Sequence, residues 1–299
     1  MMKIKNRMKR PMTLKPGSML GVCAPSARFD TEKLNLGIGV LKELGFKVKV
    51  PVEIFKKKRY LAGDDMVRAN VINSLFLDPE IDGIICARGG YGAIRILDHL
   101  NWDIIKQNPK PFIGFSDNTA ILLAIIEKTG NGVIHGPNVV SFAQAQKKTM
   151  DTFYETLNTS FDKIDIANGR IIKPGECTGV LKGGNLATIS HLLGTRYQPD
   201  FKEAVLFLED IGEPAYKIDR MLTQMKMAGL FEGIRGVIIG SFENCDNDEY
   251  VEDILFEIFE EYNVPVLSGL NSGHGKVNLS ICMGTQIKMD TKPARIFWV

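Results

Sequence analysis

Between residues 19 and 135 short apolar runs alternate with helical patterns, and this alternation constrains the fold more than any other feature of the chain. Met19 to Ala24 is an apolar run stopped by Pro25-Ser26, and Glu32 to Leu44 carries apolar residues at helical spacing closed by Gly45. Phe46 to Val52 is rich in Val, Asp64-Asp65 open a second helical pattern reaching Leu77, and Ile81 to Ala87 returns to strand. Strand, helix, strand, helix, strand is satisfied by a parallel sheet covered by helices on both faces.

The next strand, Phe112 to Gly114, runs without a linker into a helical pattern from Asp117 to Lys128, with Ser116 at the corner. A tight strand-turn-helix leaves the side chain of the turn residue projecting, which is the geometry of a nucleophile elbow, spelled here Gly-x-Ser-x-Asn. The competing reading is that Ser116 caps the helix through its hydroxyl. The strand before it delivers Cys86-Ala-Arg88-Gly89-Gly90-Tyr91-Gly92, followed by a helical stretch from Ala93 to Leu100. Glycines leave backbone N–H groups unshielded and a helix start adds positive potential, so this loop can cradle an anion or an oxyanion; a tight turn needing positive φ would use the same residues. Neither Gly-x-Gly-x-x-Gly nor a Walker pattern is present, which argues against a dinucleotide or P-loop site. A fifth strand, Gly132 to His135, ends in His135-Gly-Pro-Asn138. In open α/β sheets the carboxyl ends of the strands line the ligand crevice, so the Gly-Gly loop and Ser116 should both face it.

From about Val140 the pattern changes. The chain divides into a basic tail (1–12), a parallel-sheet domain carrying Ser116 (13–143), a linker (144–174) and a C-terminal domain (175–299). Cys177 to Lys182 alternates like a strand, and Gly183-Gly184-Asn185 starts a helix. Val205 to Leu208 is an apolar strand running out at Glu209-Asp210, where a carboxylate could orient a base across a cleft, whereas Glu213 beside Pro214 is ordinary helix-start chemistry. Strands at Gly236 to Phe242, Val264 to Leu267, Leu279 to Cys282 and Gln286 to Met289, and a helix from Glu249 to Glu260, complete this half. Ser272-Gly273-His274-Gly275-Lys276 places a histidine between glycines on a loop expected to be flexible, which suits a general base, although a lone loop histidine is more often a surface residue. His135 is the rival base, with a Gly-Pro follow-on that suggests a structural turn; His99 and His191 sit in helical patterns and read as packing residues.

Composition excludes several functions. The 37 Lys and Arg against 35 Asp and Glu give a net charge of +2 and demand no nucleic-acid partner. The early cluster Lys3, Lys5, Arg7, Lys9 and Arg10 leads into Met-Thr-Leu-Lys-Pro-Gly and not an apolar region, so it reads as a solvated tail and not as a signal peptide. No window is apolar enough to cross a membrane. The five cysteines are odd in number and scattered, fitting reduced thiols in a cytoplasm. With four histidines and no Cys-x-x-Cys or His-Glu-x-x-His, no metal is expected. Cys86 lacks the Gly-x-Cys-x-Gly turn of an amidotransferase nucleophile.

Taken together, Gly21-Val-Cys-Ala-Pro-Ser26, Arg59-Tyr-Leu-Ala-Gly63, Ala87-Arg-Gly-Gly-Tyr-Gly92, Gly114-Phe-Ser-Asp-Asn118, His135-Gly-Pro137, Gly183-Gly-Asn-Leu186, Leu208-Glu-Asp-Ile211 and Gly273-His-Gly275 resemble the LD-carboxypeptidase family, serine peptidases that trim muropeptides and include relatives giving immunity to peptide-nucleotide antibiotics. The resemblance covers nearly the whole chain. It implies a flavodoxin-like N-terminal domain with a smaller β-rich α/β C-terminal domain, and a catalytic set of Ser116, Glu209 and His274 assembled across the domain interface, with cleft closure as part of the mechanism. His274 would take the Ser116 proton, Glu209 would hold the imidazole, and the N–H groups of Asp117 and Gly90 would meet the oxyanion. Arg88, Gly89 and Asn185 are candidates for substrate binding, Arg88 as the partner of a carboxylate. The expected substrate is a small peptide or muropeptide whose terminal D-alanine is released in cytoplasmic wall recycling. No cofactor, nucleic acid or membrane is implied, and family likeness suggests a homodimer. The absence of a long insertion between Glu209 and His274 favours the muropeptide branch over hydrolysis of peptide-nucleotide amides. A non-catalytic anion or nucleotide binder using the Gly89-Gly90 loop is the reading from another class.

Overall fold

The computed structural model describes residues 9–158, 162–166, 169–246 and 248–299; Lys3, Lys5 and Arg7 of the basic tail lie outside them. Five parallel strands, β1 (Met19–Cys23), β2 (Lys47–Lys49), β3 (Gly83–Cys86), β4 (Phe112–Gly114) and β5 (Val133–His135), are laid out in the order β2-β1-β3-β4-β5. That is the flavodoxin-like order, with its reversal between β1 and β3, where ligands gather beyond the carboxyl ends. The helices α1 (Thr31–Glu43), α2 (Asp65–Leu77), α3 (Trp102–Gln107) and α4 (Thr119–Thr129) connect or flank these strands. The helical stretch expected from Ala93 to Leu100 is a 3₁₀ run over Ala93–His99.

The second sheet has eight strands: β6 (Lys163–Asp165), β7 (Ile171–Lys173), β8 (Glu176–Asn185), β9 (Ala204–Ile211), β10 (Gly236–Glu243), β11 (Val266–Ser268), β13 (Gln286–Thr291) and β14 (Ala294–Trp298), in the order β6-β14-β13-β8-β9-β10-β11-β7. Its centre, β8 to β11, is parallel, and its outer pairs are antiparallel. The helices α6 (Leu186–Ser190), α7 (Ala215–Met227) and α8 (Asp248–Glu260) belong to this half. The 144–174 stretch, read as a linker, holds α5 (Lys147–Asn158), whose Phe153 packs edge-on against Phe46 and Phe142 of the first domain, together with β6 and β7. The remaining strand, β12 (Ile281–Met283), returns to the first sheet and pairs antiparallel with β5, so the C-terminal half closes that sheet's edge.

The helix carrying the serine corner sits where the two halves meet. Its sequence, Thr-Ala-Ile-Leu-Leu-Ala-Ile-Ile, is buried residue after residue from Thr119 to Ile126. A helix apolar all round is stable only when covered on every side, and here the first sheet covers one face and the second half the other. The contact is pinned by polar bonds as well: Lys182 of β8 pairs with Glu127 at 2.6 Å, and Asn185 donates its backbone N–H to Thr119 Oγ1 at 3.1 Å. Gly130 ends α4 in the left-handed conformation, a terminator that glycine adopts without strain.

Candidate active site

Ser116 has φ +66°, a left-handed conformation that a side-chain-bearing residue enters only under constraint. Helix capping does not explain it, because the cap positions of the 3₁₀ turn and of α4 are Phe115 and Asn118, and neither makes a side-chain cap bond. The turn is fixed from below. Asn118 Nδ2 donates to Phe115 O at 3.1 Å and to Asn138 Oδ1 at 3.1 Å, while Ser26 Oγ donates to Asp117 Oδ2 at 2.5 Å. Ser116 is left partly exposed at the carboxyl end of β4.

The Gly-rich loop lies directly beside it. A Cβ on Gly89 would come within 2.8 Å of Ser116 Cβ and Oγ, so glycine is required there by close approach. Gly90, at φ +104°, is exposed on the same loop. Arg68, fully buried, fastens the loop from behind: it donates to Pro25 O, to Gly92 O at 2.9 Å and to Asp65. The amide of Ala93, where an anion would dock at the helix start, instead donates to Asp117 Oδ2 at 2.8 Å. A carboxylate of the chain itself thus occupies that position.

Across the interface, β9 delivers Glu209 into a site with no solvent exposure, and its Oε2 accepts from His274 Nδ1 at 2.6 Å. The loop bearing His274 is held and not loose, as the sequence suggested it would be. Gly273 N donates to Asn278 Oδ1 at 3.1 Å, Gly275 N to Ser241 Oγ at 3.1 Å, and Asn278 N to Thr149 Oγ1 at 3.0 Å. Gly273 is needed twice over, at φ +119° and because a Cβ there would sit 2.5 Å from Glu209 Oε2. The His274 ring packs on Phe115, the neighbour of Ser116, with centroids 4.8 Å apart, so the halves already meet at the serine corner.

Electrostatics follow from this burial. Desolvation alone would raise the Glu209 carboxyl, but the histidines beside it outweigh that and hold it at about 2. Of the two, His274 is bonded, whereas His135 Nε2 stands 3.9 Å from Glu209 Oε1, beyond hydrogen-bond reach, and neither of those two atoms has a partner among the described residues. Burial would lower His274, and its bond to the Glu209 carboxylate more than reverses this, leaving the imidazole above its ordinary value. Burial, aided by the charge of Glu209, pushes Asp210 up to about 6 against the bonds it accepts from Ile211 N, Ala187 N and Asn185 Nδ2.

The other candidates have different duties. His135 is wholly buried, wedged edge-on between Phe115 and Phe207, with its Nδ1 3.3 Å from Ser272 Oγ. His99 and His191, read as packing residues, are both exposed. Asn185 spends its amide on capping α6 through Thr188 N and on Asp210, and Arg88 Nη1 donates to Arg28 O at 2.9 Å. The Cys86 thiol is buried against Cys23 and pushed well up by desolvation. Among the described residues no three His, Cys, Asp or Glu side chains converge as a metal site, and no helix is long and apolar enough to cross a membrane. Arg68, Ser26 and Asn138, which brace the corner and the loop, were missed in the sequence, where Ser26 and Asn138 are marked only by their place in short motifs and Arg68 by nothing.

A flavodoxin-like sheet and a mixed second sheet, meeting where the Phe115 neighbour of a left-handed Ser116 packs on an imidazole bonded to Glu209, define an α/β protein with a serine corner at the junction of its two halves. Residues 20–136 match the LD-carboxypeptidase N-terminal domain and residues 178–289 the LD-carboxypeptidase C-terminal domain, and the chain belongs to the LD-carboxypeptidase family. It is 32% identical to a probable murein peptide carboxypeptidase of Bacillus subtilis, over 94% of this chain and 92% of that protein. Among solved structures it resembles a muramoyltetrapeptide carboxypeptidase from Oxalobacter formigenes (TM-score 0.84, 27% identity, 94% of this chain and 98% of that one) and an MccF-like protein from Bacillus anthracis (TM-score 0.87, 27% identity, 97% and 98%).

Proposed function

We propose that the chain is a serine carboxypeptidase that hydrolyses the L,D-amide bond before the terminal D-alanine of muropeptide tetrapeptides. The observation that carries this reading is the left-handed Ser116 next to a Phe115 ring that packs against the Glu209-bound His274. A serine hydroxyl is a weak nucleophile at neutral pH and needs a base, which in turn needs a third group to fix its tautomer and stabilise its cation. With Nδ1–H committed to Glu209, the His274 Nε2 lone pair is free to take the Ser116 proton. The oxygen then attacks the scissile carbonyl, the oxyanion is met by the N–H groups of Asp117 and Gly90, and the imidazolium returns the proton to the departing amine. Water repeats the sequence on the ester and frees the serine.

The murein peptide and muramoyltetrapeptide carboxypeptidases among the similar proteins support the substrate class. The family also contains the microcin C7 self-immunity protein of Escherichia coli, 26% identical over 89% of this chain, so a peptide-nucleotide amide is the second reading. The non-catalytic anion binder is weakened by Asp117, which already occupies the helix-start amide of Ala93 behind the loop. Incubation with a defined tetrapeptide, its L-alanine-terminated epimer and an aminoacyl sulfamoyl adenosine, followed by mass spectrometry, tests the proposal. Release of only the D-residue is expected; cleavage of the nucleotide alone would transfer the chain to the second reading.

A further inference from the structure

The carboxypeptidase reading leaves open which group holds the free carboxylate of the departing residue, and the inference here rests on that reading. A cavity of about 340 Å³ opens beside His274, with Phe115, Ser141, Gln144, Lys276 and Asn278 among its walls. The imidazole that returns a proton to the leaving amine must lie within hydrogen-bond reach of it, so the departing residue belongs on the His274 side of Ser116, while the acyl oxygen faces the Gly89-Gly90 loop. In an exopeptidase substrate a carboxylate follows that amine by a single carbon. The matching cation has to stand in this cavity.

Arg88 does not line it. It borders a neighbouring cavity with Asp30 and Lys33, and it is tied to the Arg28 carbonyl. Lys276 does line it, two residues after His274 on the same pinned loop, exposed and in no ion pair with the described residues. A second observation points to a ligand acceptor at the same place. Asn278, 6% exposed, spends Oδ1 on Gly273 N, which fixes the orientation of its amide, and its Nδ2 donor has no partner among the described residues. A buried donor left unpaired is costly; Nδ2 is sealed from solvent here, so a small displacement of the cavity wall on binding would let a carboxylate supply the acceptor.

We propose that Lys276, backed by the Asn278 amide, binds the terminal carboxylate of the departing residue and thereby makes the enzyme an exopeptidase. Charge-assisted hydrogen bonds of this kind carry about 1.5–3 kcal/mol, or roughly 10- to 150-fold in kcat/KM. The test compares a tetrapeptide ending in a free carboxylate with the same peptide ending in a carboxamide, on the wild type, Lys276→Gln and Lys276→Arg. The wild type should prefer the free acid by about 10- to 100-fold. In Lys276→Gln the preference should fall within about threefold, with the loss on the acid carried mainly by KM, and Lys276→Arg should restore most of it. An undiminished preference in Lys276→Gln, or an equal loss on both peptides, overturns the assignment and leaves the carboxypeptidase reading standing. A wild type that cleaves acid and amide alike also overturns it, and a wild type inert on both removes the reading and the assignment together.

Discussion

Replacing Glu209 by Gln keeps the shape of the side chain and removes its charge, which isolates what the carboxylate does. Glu209 is wholly buried and touches His274 through a 2.6 Å bond, so it cannot reach substrate and its effect must pass through the imidazole. The amide of Gln either accepts from Nδ1–H without a negative charge or turns its NH₂ toward Nδ1 and forces the wrong tautomer. Triad carboxylate-to-amide changes cost about 10⁴ in kcat, which is about 5 kcal/mol at 1.36 kcal/mol per decade. We expect a fall of about 10³- to 10⁴-fold in kcat, with KM within about threefold. The acid limb of kcat/KM moves as well. In the wild type His274 lies above its ordinary value because Glu209 outweighs burial, so activity should rise with pH through a point above about 6.5. Without the carboxylate, burial dominates and the limb shifts to lower pH. Stability carries the same signature with its sign fixed by Glu209 at about 2. A depressed carboxyl contributes stability that is complete above its unfolded value near ~4.3 and lost as pH falls through the folded one. The urea midpoints of wild type and Glu209→Gln should therefore converge between about pH 5 and pH 2. A kcat within tenfold of wild type, a loss carried by KM, or an unmoved acid limb would refute the pairing as a catalytic device.

Other changes probe the serine corner and the histidine loop. Ser116→Ala should lower turnover by about 10⁴- to 10⁶-fold on a tetrapeptide while leaving circular dichroism unchanged. Ser116→Gly should be equally inactive yet more stable than Ser116→Ala by about 1 kcal/mol, because only glycine sits at φ +66° without strain; matched thermal melts read this directly. Gly273→Ala should cost at least about 100-fold in kcat and about 1–3 kcal/mol in urea stability, since its Cβ would have to displace Glu209 Oε2 from 2.5 Å.

The parallel-sheet half was legible because its signals are local: each strand is a short apolar run and each helix shows its own period and terminator, as at Glu32 to Gly45. The edge strand Ile281–Met283 was not placed, since nothing in those residues says that they pair with Val133–His135 about 150 residues earlier. The helical stretch after the Gly-rich loop was legible, but its 3₁₀ character and the bond from Ala93 N to Asp117 are tertiary facts. Glu209 and His274 could be nominated from a strand end and a glycine-flanked loop, and the resemblance to a family joined them to Ser116. The sequence could not supply the rigidity of the His274 loop, which comes from Thr149 and Ser241 on two other segments and from Asn278 within the loop itself. Nor could it tell that Gly89 is small to make room for Ser116, or that Asn185 is a cap.

The most direct measurement of whether Ser116 is a nucleophile served by His274 is labelling with a fluorophosphonate, in which the serine oxygen bonds to phosphorus and fluoride departs, followed by peptide mapping. A single adduct on Ser116 in the wild type, none in Ser116→Ala, and labelling at least about 100-fold slower in His274→Ala is the expected result. An unmodified Ser116 in protein that still hydrolyses the tetrapeptide would contradict the account.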